Sequence, residues 1–292
     1  MDRFTTFDTA LGLPYRELVG CLLWVVLCVV GPELVRVKDL ARRSNHPSPA
    51  DYQTALKVLR RIYIRRHVVI RFEKGSAGKE WIPSSDVRPD PTSPDFKDVP
   101  AYAEDDFSLY PVLTETQLNL AIPLIPLPTN PRFSQVAFTD ASFAVGDLKM
   151  SVTGLVIYVN CTPILWASIK QTTIADSSCA AEFVGASVCA KQMTHVENMC
   201  HFLGFTCPKP YPVYTDSQTS LSIASNSIQL GKVRHIAIRY HLVRAMVQCG
   251  DIKMIFCYTE DMIADLLTKI LSGTTYDRLA FWFYFLGFNP AT

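Results

Sequence analysis

The sequence VAFTDAS at residues 136–142, followed by VTGLVIYVN at 152–160 and PILWASI at 163–169, predicts three successive β-strands. Short apolar runs at 211–215 and 252–258 predict two more strands. Helical patterns cover 177–203, a short segment from 217, 236–248, 260–271 and 274–286. Hairpin-linked strands followed by helical crossovers predict an α/β fold with a mixed five-stranded sheet, antiparallel first and parallel later.

Charge divides the chain into three regions. Residues 1–75 hold 13 Lys/Arg and 7 Asp/Glu, residues 76–132 hold 4 and 9, and residues 133–292 hold 11 of each. Ten of the 19 prolines fall between residues 83 and 131, where they disfavour long regular elements. We therefore expect a basic helical region over 1–74, an acidic proline-rich linker over 75–132 and the α/β domain over 133–292.

The basic region has two predicted helices, Tyr15–Val30 and Ser48–Arg66, the second with Ser48 as its N-cap. Lys57, Arg61 and Arg65 recur every four residues on that helix and share one face. Such a stripe suits phosphate binding, and it equally suits an ordinary solvated face.

Two features bear on the location of the protein. The apolar run Leu18–Val30 is 13 residues long, whereas a membrane-spanning helix needs about 20. We therefore predict a buried helix and no membrane association. The nine cysteines are scattered without a C-x-x-C pair or the spacing of a zinc site. That pattern favours a reducing intracellular setting over secretion.

Four acidic residues are candidates for chemistry: Asp140, Glu182, Asp216 and Asp265. Alternation places Asp140 on the same strand face as Val136 and Phe138, where an unpaired carboxylate is costly. Carboxylates gathered from separate elements bind Mg²⁺, and a pair of such ions can cleave a phosphodiester.

Each acid also has an ordinary explanation. Asp140 could occupy a strand-end turn, and Glu182 could favour the N-terminal dipole of its helix. Asp216 could be a helix N-cap, and Asp265 could pair with Lys269 on a solvated face. The spacing alone leaves these alternatives open.

Local sequence narrows the choice. Several motif-like stretches follow one another in order: Phe138–Ser142 (FTDAS), Ser151–Val156 (SVTGLV), Trp166–Gln171 (WASIKQ), Ser177–Phe183 (SSCAAEF), Tyr214–Gln218 (YTDSQ), His235–His241 (HIAIRYH) and Ala264–Lys269 (ADLLTK). Together they resemble the ribonuclease H domain of Ty1/copia-type retrotransposon Pol polyproteins. Pro14–Gly20 (PYRELVG) and Ala55–Arg61 (ALKVLRR) resemble the end of the reverse transcriptase in the same polyproteins.

The resemblance implies an RNase H-like sheet behind a small thumb- or connection-like helical region. It implies that Asp140, Glu182, Asp216 and Asp265 hold two Mg²⁺ ions, for which Mn²⁺ can substitute, and that the domain cuts the RNA strand of RNA/DNA hybrids. The residues expected to contact nucleic acid are Lys57, Arg61, Arg65, Gln218, Arg234, His235, Arg239 and Arg244. Selection of a hybrid is expected to depend on 2′-hydroxyl contacts and groove shape.

Several departures from the family matter. The sequence has no Y-x-D-D polymerase motif, since Tyr102–Asp106 carries an inserted Glu104, so we expect no DNA synthesis. Phe143 stands where the family commonly has Trp, and the segment before Asp265 lacks the His-bearing loop of many cellular ribonucleases H. Turnover is therefore expected to be slow.

Two competing hypotheses follow from these departures. The chain could be a non-catalytic relic that binds nucleic acid, or an interaction module with the same fold. Partners expected besides the hybrid are other products of the retroelement polyprotein. The expected location is a cytoplasmic virus-like particle or the nucleus.

Overall fold

The computed structural model describes residues 14–64, 135–145, 150–160, 162–172, 174–175, 177–225 and 237–284. A helical part comprises α1 (Tyr15–Cys28), a 3₁₀ turn (Gly31–Glu33), α2 (Leu34–Arg42) and α3 (Pro49–Ile64). An α/β part follows, with strands β1 (Gln135–Val145), β2 (Met150–Val159), β3 (Thr162–Lys170), β4 (Tyr211–Thr215) and β5 (Ile252–Phe256). Its helices are α4 (Ser178–Phe202), α5 (Gln218–Ser225), α6 (Ala237–Gln248) and α7 (Gly273–Tyr284).

The five strands form one mixed sheet in the order β3-β2-β1-β4-β5. The pairs β1–β2 and β2–β3 are antiparallel, whereas β1–β4 and β4–β5 are parallel. This arrangement confirms the mixed α/β sheet predicted from the strand pattern. It places β1 in the centre, where both of its edges are hydrogen-bonded.

Helix α4 covers one face of the sheet. Its buried side chains Ala186, Cys189 and Met193 pack with Leu155 and Ile157 of β2 in one hydrophobic cluster. The helix begins at the predicted N-cap, where Ser177 Oγ accepts a hydrogen bond from Ala180 N over 3.2 Å. It ends before Gly204, whose φ of +80° favours glycine.

The helical part covers the other face. Tyr15, Val19 and Leu22 of α1 belong to the same buried cluster as Phe138 of β1 and Phe283 of α7. The basic helical region and the α/β region thus share one hydrophobic core. The division into three regions was drawn from charge and stays a prediction, and its middle region, 75–132, lies outside the described residues.

Hydrogen bonds join the two parts across that core. Trp166 Nε1 on β3 donates to Val26 O at the end of α1 over 3.0 Å. Lys38 Nζ on α2 donates to Ser168 O on the same strand. These bonds cross from helix to sheet and fix the angle at which the helical part docks.

Two sequence predictions need correction. Helix α2 was not predicted, although Leu34, Val37 and Leu40 form its buried side. The predicted helix over 260–271 is wrong: the segment forms two 3₁₀ turns, Thr259–Asp261 and Ile263–Leu267. Met262 between them is extended, with φ −73° and ψ 93°, which interrupts a continuous helix.

The remaining bounds agree within a few residues. The helix predicted over Ser48–Arg66 is seen as Pro49–Ile64, and its last two predicted residues are outside the described range. Ser48 Oγ accepts a hydrogen bond from Asp51 N over 3.2 Å, as the N-cap prediction requires. Within the described parts of the chain, every helix is too short or too polar to cross a bilayer.

Candidate metal centre

Three carboxylates from separate elements meet at one edge of the sheet. Asp140 lies on β1, Glu182 lies near the start of α4, and Asp216 follows β4 directly. One carboxylate oxygen from each residue can be chosen so that all three lie within 4.8 Å of one another. Asp140 is buried and the other two are partly buried. The structure therefore brings together three of the four acids singled out in the sequence.

Strand pairing explains why Asp140 and Asp216 meet. Phe138 on β1 pairs with Tyr214 on the parallel strand β4. Asp140 comes two residues after Phe138 on β1, and Asp216 comes two residues after Tyr214, just past the end of β4, so both carboxylates emerge at the same level and on the same side. The rings of Phe138 and Tyr214 stack with their centroids 5.0 Å apart, and this contact fixes the two strands beneath the site.

Glu182 is positioned by the anchoring of α4. Gln171 Nε2 donates to Ala181 O over 2.9 Å and to Thr153 Oγ1 over 3.0 Å, both buried bonds. The first turn of the helix is thereby tied to β2. A Cβ added at Gly185, one turn later, would meet Thr139 and Thr153 at ordinary contact distance, so the helix approaches the sheet closely beside the acid.

Burial and mutual repulsion oppose ionisation of these acids. Burial, then the charges of Asp140 and Asp216, raise the pKa of Glu182 to about 9. Burial, then Asp140, raise the pKa of Asp216 above its usual range. A crowded, oxygen-only set of carboxylates that cannot all ionise by themselves suits a hard divalent cation such as Mg²⁺ or Mn²⁺.

The fourth acid, Asp265, adjoins the cluster but is bound to a lysine. Asp265 is 5% exposed. Lys269 Nζ lies 2.8 Å from Asp265 Oδ1 and 3.6 Å from Asp140 Oδ2. Burial, then Asp140, raise the pKa of Asp265 to about 7, against the opposing effect of Lys269. The ion pair of Asp265 with Lys269, one of the ordinary explanations of this acid, is therefore present, although Asp265 is buried rather than on a solvated face.

Two hydroxyl groups in the centre were not singled out in the sequence. Thr259 Oγ1 donates to Asp216 Oδ2 over 3.1 Å, and Thr268 Oγ1 donates to Asp140 Oδ2. Each orients one of the clustered carboxylates. Their sequence signal is weak because only their position beside Glu260, Asp261 or Lys269 distinguishes them from other threonines.

The predicted nucleic-acid contacts are more dispersed. Lys57 and Gln218 are exposed, and Arg244 is partly buried. Arg61 turns toward the protein, with its guanidinium 5.1 Å from the ring centroid of Tyr276 and its Nε 4.0 Å from Glu33 Oε1. Outside the described residues lie Arg65, Arg234 and His235, and also the side chain of Arg239.

Comparison with known proteins gives a consistent picture. No protein-family model matches the chain. A stretch of 146 residues, 49% of the chain, is 32% identical to the retrovirus-related Pol polyprotein from transposon RE1 of Arabidopsis thaliana. A stretch of 142 residues, 48% of the chain, is 32% identical to the Pol polyprotein from transposon TNT 1-94 of Nicotiana tabacum. The resemblance to Ty1/copia-type Pol polyproteins is confirmed.

The matched stretch is a small part of those relatives. It covers 10% of each Pol polyprotein, so the chain corresponds to about a tenth of the length of the curated relatives it matches. Among solved structures, the chain is similar to an RNase H1, LC11, isolated from compost, with 15% identity over 46% of this chain and 92% of that one.

A second solved structure is RNase H1 from Halobacterium salinarum, with 13% identity over 47% of this chain and 95% of that one. The TM-score is 0.35 in both cases. At that score and identity, neither likeness bears on the activity of this chain.

Proposed function

We propose that this chain is the RNase H portion of a Ty1/copia-type retroelement and hydrolyses the RNA strand of RNA/DNA hybrids with divalent metal ions. The observation that carries the proposal is the meeting of Asp140, Glu182 and Asp216 within 4.8 Å, where the middle of β1 lies beside the end of β4. The similarity of half the chain to retroelement Pol polyproteins supports the choice of substrate.

In this proposal Asp140, Glu182 and Asp216 hold the metal, and Asp265 completes the set. Bound divalent ions would supply Lewis acidity, lowering the pKa of an attacking water and stabilising the departing 3′ oxygen. Asp140 lies at the centre, on the strand that pairs with both neighbours. Thr268 and Thr259 fix the orientation of Asp140 and Asp216, so those carboxylates need little rearrangement to bind.

Proton release by Glu182 is part of the same proposal. The raised pKa of Glu182 means that its carboxyl holds a proton near neutral pH until a cation arrives. Binding of metal must expel that proton, so the affinity for metal should rise with pH.

The proposed substrate contacts stay close to the sequence prediction. Lys57 is exposed, whereas the side chain of Arg61 lies against Glu33 and the ring of Tyr276. We therefore assign phosphate contact on α3 to Lys57 rather than to Arg61. Gln218, Arg244, Arg65, Arg234, His235 and Arg239 stay predicted contacts. The location in a cytoplasmic particle or the nucleus also stays a prediction.

The test is cleavage of an end-labelled RNA/DNA hybrid with Mg²⁺ or Mn²⁺. The wild-type chain should cut the RNA strand, and Asp140→Asn and Glu182→Gln should lower the rate by at least about 100-fold. Asp251→Asn is the matched control, because Asp251 is also a paired acid but lies with Lys209 at the opposite end of β4. Equal activity in wild type and Asp140→Asn would contradict the proposal.

The same assay distinguishes the proposed nuclease from the alternative, a non-catalytic relic. The alternative predicts that the wild-type chain retards the hybrid on a native gel without cutting it under either metal. The pairing of Asp265 with Lys269 is the observation that favours this alternative, since it withdraws one acid from the set.

A further inference from the structure

Lys269 brings a fixed positive charge into the carboxylate cluster. Its Nζ lies 2.8 Å from Asp265 Oδ1 and 3.6 Å from Asp140 Oδ2. The two carboxylate side chains are 8% and 3% exposed, whereas the lysine side chain is 41% exposed. The ammonium group thus enters from solvent and contacts two buried acids at once.

The backbone keeps the lysine in this place. Lys269 N donates to Asp265 O over 2.9 Å, and Thr268 N donates to the same carbonyl over 3.2 Å. Thr268 also donates its hydroxyl proton to Asp140 Oδ2. The turn that carries Asp265 therefore presents the lysine and the threonine together to Asp140.

An ammonium group and a divalent cation compete for the same carboxylates. A lysine ammonium group has no lone pair with which to coordinate a metal, and its charge repels one. One carboxylate oxygen of Asp140 lies within 4.8 Å of oxygens of Glu182 and Asp216, and Asp140 Oδ2 lies 3.6 Å from Lys269 Nζ, which also pairs with Asp265. An ion between Asp140, Glu182 and Asp216 can be accommodated, whereas an ion between Asp140 and Asp265 must first displace Lys269.

We propose that Lys269 is a positioning residue that acts as a built-in counterion for Asp265 and limits the free protein to one tightly bound divalent ion. The second ion then binds only when the lysine swings into solvent, which its exposed and flexible side chain permits. This inference rests on the proposed function, because it concerns the same metal centre.

Counting bound Mn²⁺ tests the inference without any activity measurement. Bound ions can be counted by calorimetry, or by the loss of the free Mn²⁺ signal in electron paramagnetic resonance spectra. The wild-type chain should bind about one ion tightly, and Lys269→Gln should bind about two. Lys269→Arg keeps the charge and should behave as wild type. Lys209→Gln is the matched control, because Lys209 also bridges two acids, Glu197 and Asp251, each at 2.8 Å.

Thermal melting supplies a second readout. In EDTA, Lys269→Gln should melt below wild type because Asp140 and Asp265 lose their counterion. Added Mn²⁺ should raise its melting temperature more than that of wild type. If Lys269→Gln does not fold, Lys269→Ala replaces it: that variant should also bind about two ions, and binding of only one ion would overturn the inference.

The outcomes separate the two proposals. Two ions of equal affinity in both wild type and Lys269→Gln, or one ion in both, would overturn the inference and leave the proposed function standing. No ion in either protein would overturn both.

Discussion

The hydroxyl of Tyr276 donates a hydrogen bond to Glu33 Oε1 over 2.5 Å, although the two residues are 243 positions apart. Glu33 is 1% exposed, and Arg36 Nε lies 3.2 Å from its other oxygen. The guanidinium groups of Arg36 and Arg61 lie 5.5 and 5.1 Å from the centroid of the Tyr276 ring. A buried carboxylate needs such partners, and here they come from both parts of the chain.

This contact makes the stability of the sheet depend on the helical part. Tyr276→Phe removes the hydroxyl donor and leaves a buried charged acceptor short of one partner, which should lower the free energy of unfolding by about 1–3 kcal/mol. Urea denaturation followed by circular dichroism measures the change. Tyr258→Phe is the control, since Tyr258 is 65% exposed, and it should differ little from wild type. An equal loss in both variants would contradict the role of the contact.

The acid cluster should make the metal-free protein less stable as pH rises. The pKa of Glu182 is about 9 in the folded protein against an ordinary 4.5, and that of Asp265 is about 7 against 3.8. The folded form therefore holds protons that the unfolded chain has released, so this stability is fully present below about pH 4 and is lost as pH rises through about 7 and 9.

Melting temperatures in EDTA between pH 5 and 9 measure that loss. Glu182→Gln cannot ionise and should flatten the slope, and saturating Mn²⁺ should flatten it too, because metal stabilises the ionised form. A melting temperature in EDTA that rises across this range would be inconsistent with the raised pKa values.

Gly154 is required where β2 passes under the turn that carries Asp265. A Cβ at this position would lie 2.6 Å from Thr268 Cγ2 and 2.7 Å from Ala264 O. Gly154→Ala should therefore push the turn away, lower stability by roughly 1–3 kcal/mol and weaken Mn²⁺ binding.

Gly185→Ala is the control for that substitution. Its Cβ would meet neighbours only at 3.5 Å and beyond, and the residue lies inside α4, so the change should be neutral or stabilising by up to about 1 kcal/mol. Denaturation curves of the two variants should move in opposite directions or differ clearly in size. Equal losses of stability in the two variants would mean that contact with the turn does not cause the effect of Gly154→Ala.

The α/β region should not fold stably without the helical part. Removing residues 1–74 would uncover Phe138, Val156 and Phe283, which share a core with Tyr15 and Leu22. We expect the fragment 133–292 to aggregate or to bind a hydrophobic dye, as measured by light scattering and dye fluorescence. A monomeric fragment with a wild-type melting temperature would show that the regions are independent.

The strands and three of the acids could be predicted because their signals are local. Alternation along 136–142 placed Asp140 on the face of Phe138, and the parallel strand order then put Asp216 beside it. The surroundings of Asp265 could not be predicted in this way. The sequence predicted a helix over 260–271 with Asp265 on a solvated face, whereas Ile263–Leu267 form a 3₁₀ turn in which every residue is buried.

The packing of the helical part was also beyond local patterns. The basic composition of residues 1–75 suggested a separate, nucleic-acid-facing region, yet Glu33, Arg36 and Arg61 turn several of its charges inward. The hydrogen bond of Tyr276 to Glu33, between residues 243 positions apart, leaves no periodic trace in the sequence. Helix α2 was missed although Leu34, Val37 and Leu40 recur every three residues, a spacing that is typical of an amphipathic helix.

The shared core also joins two parts of the sequence that lie far apart in the chain, residues 14–64 and 135–284. Residue 64 ends a helix of that core, and residue 135 begins the central strand of the sheet. Two chains, one ending at residue 64 and the other beginning at residue 135, should therefore associate through the apolar surfaces that each would expose alone.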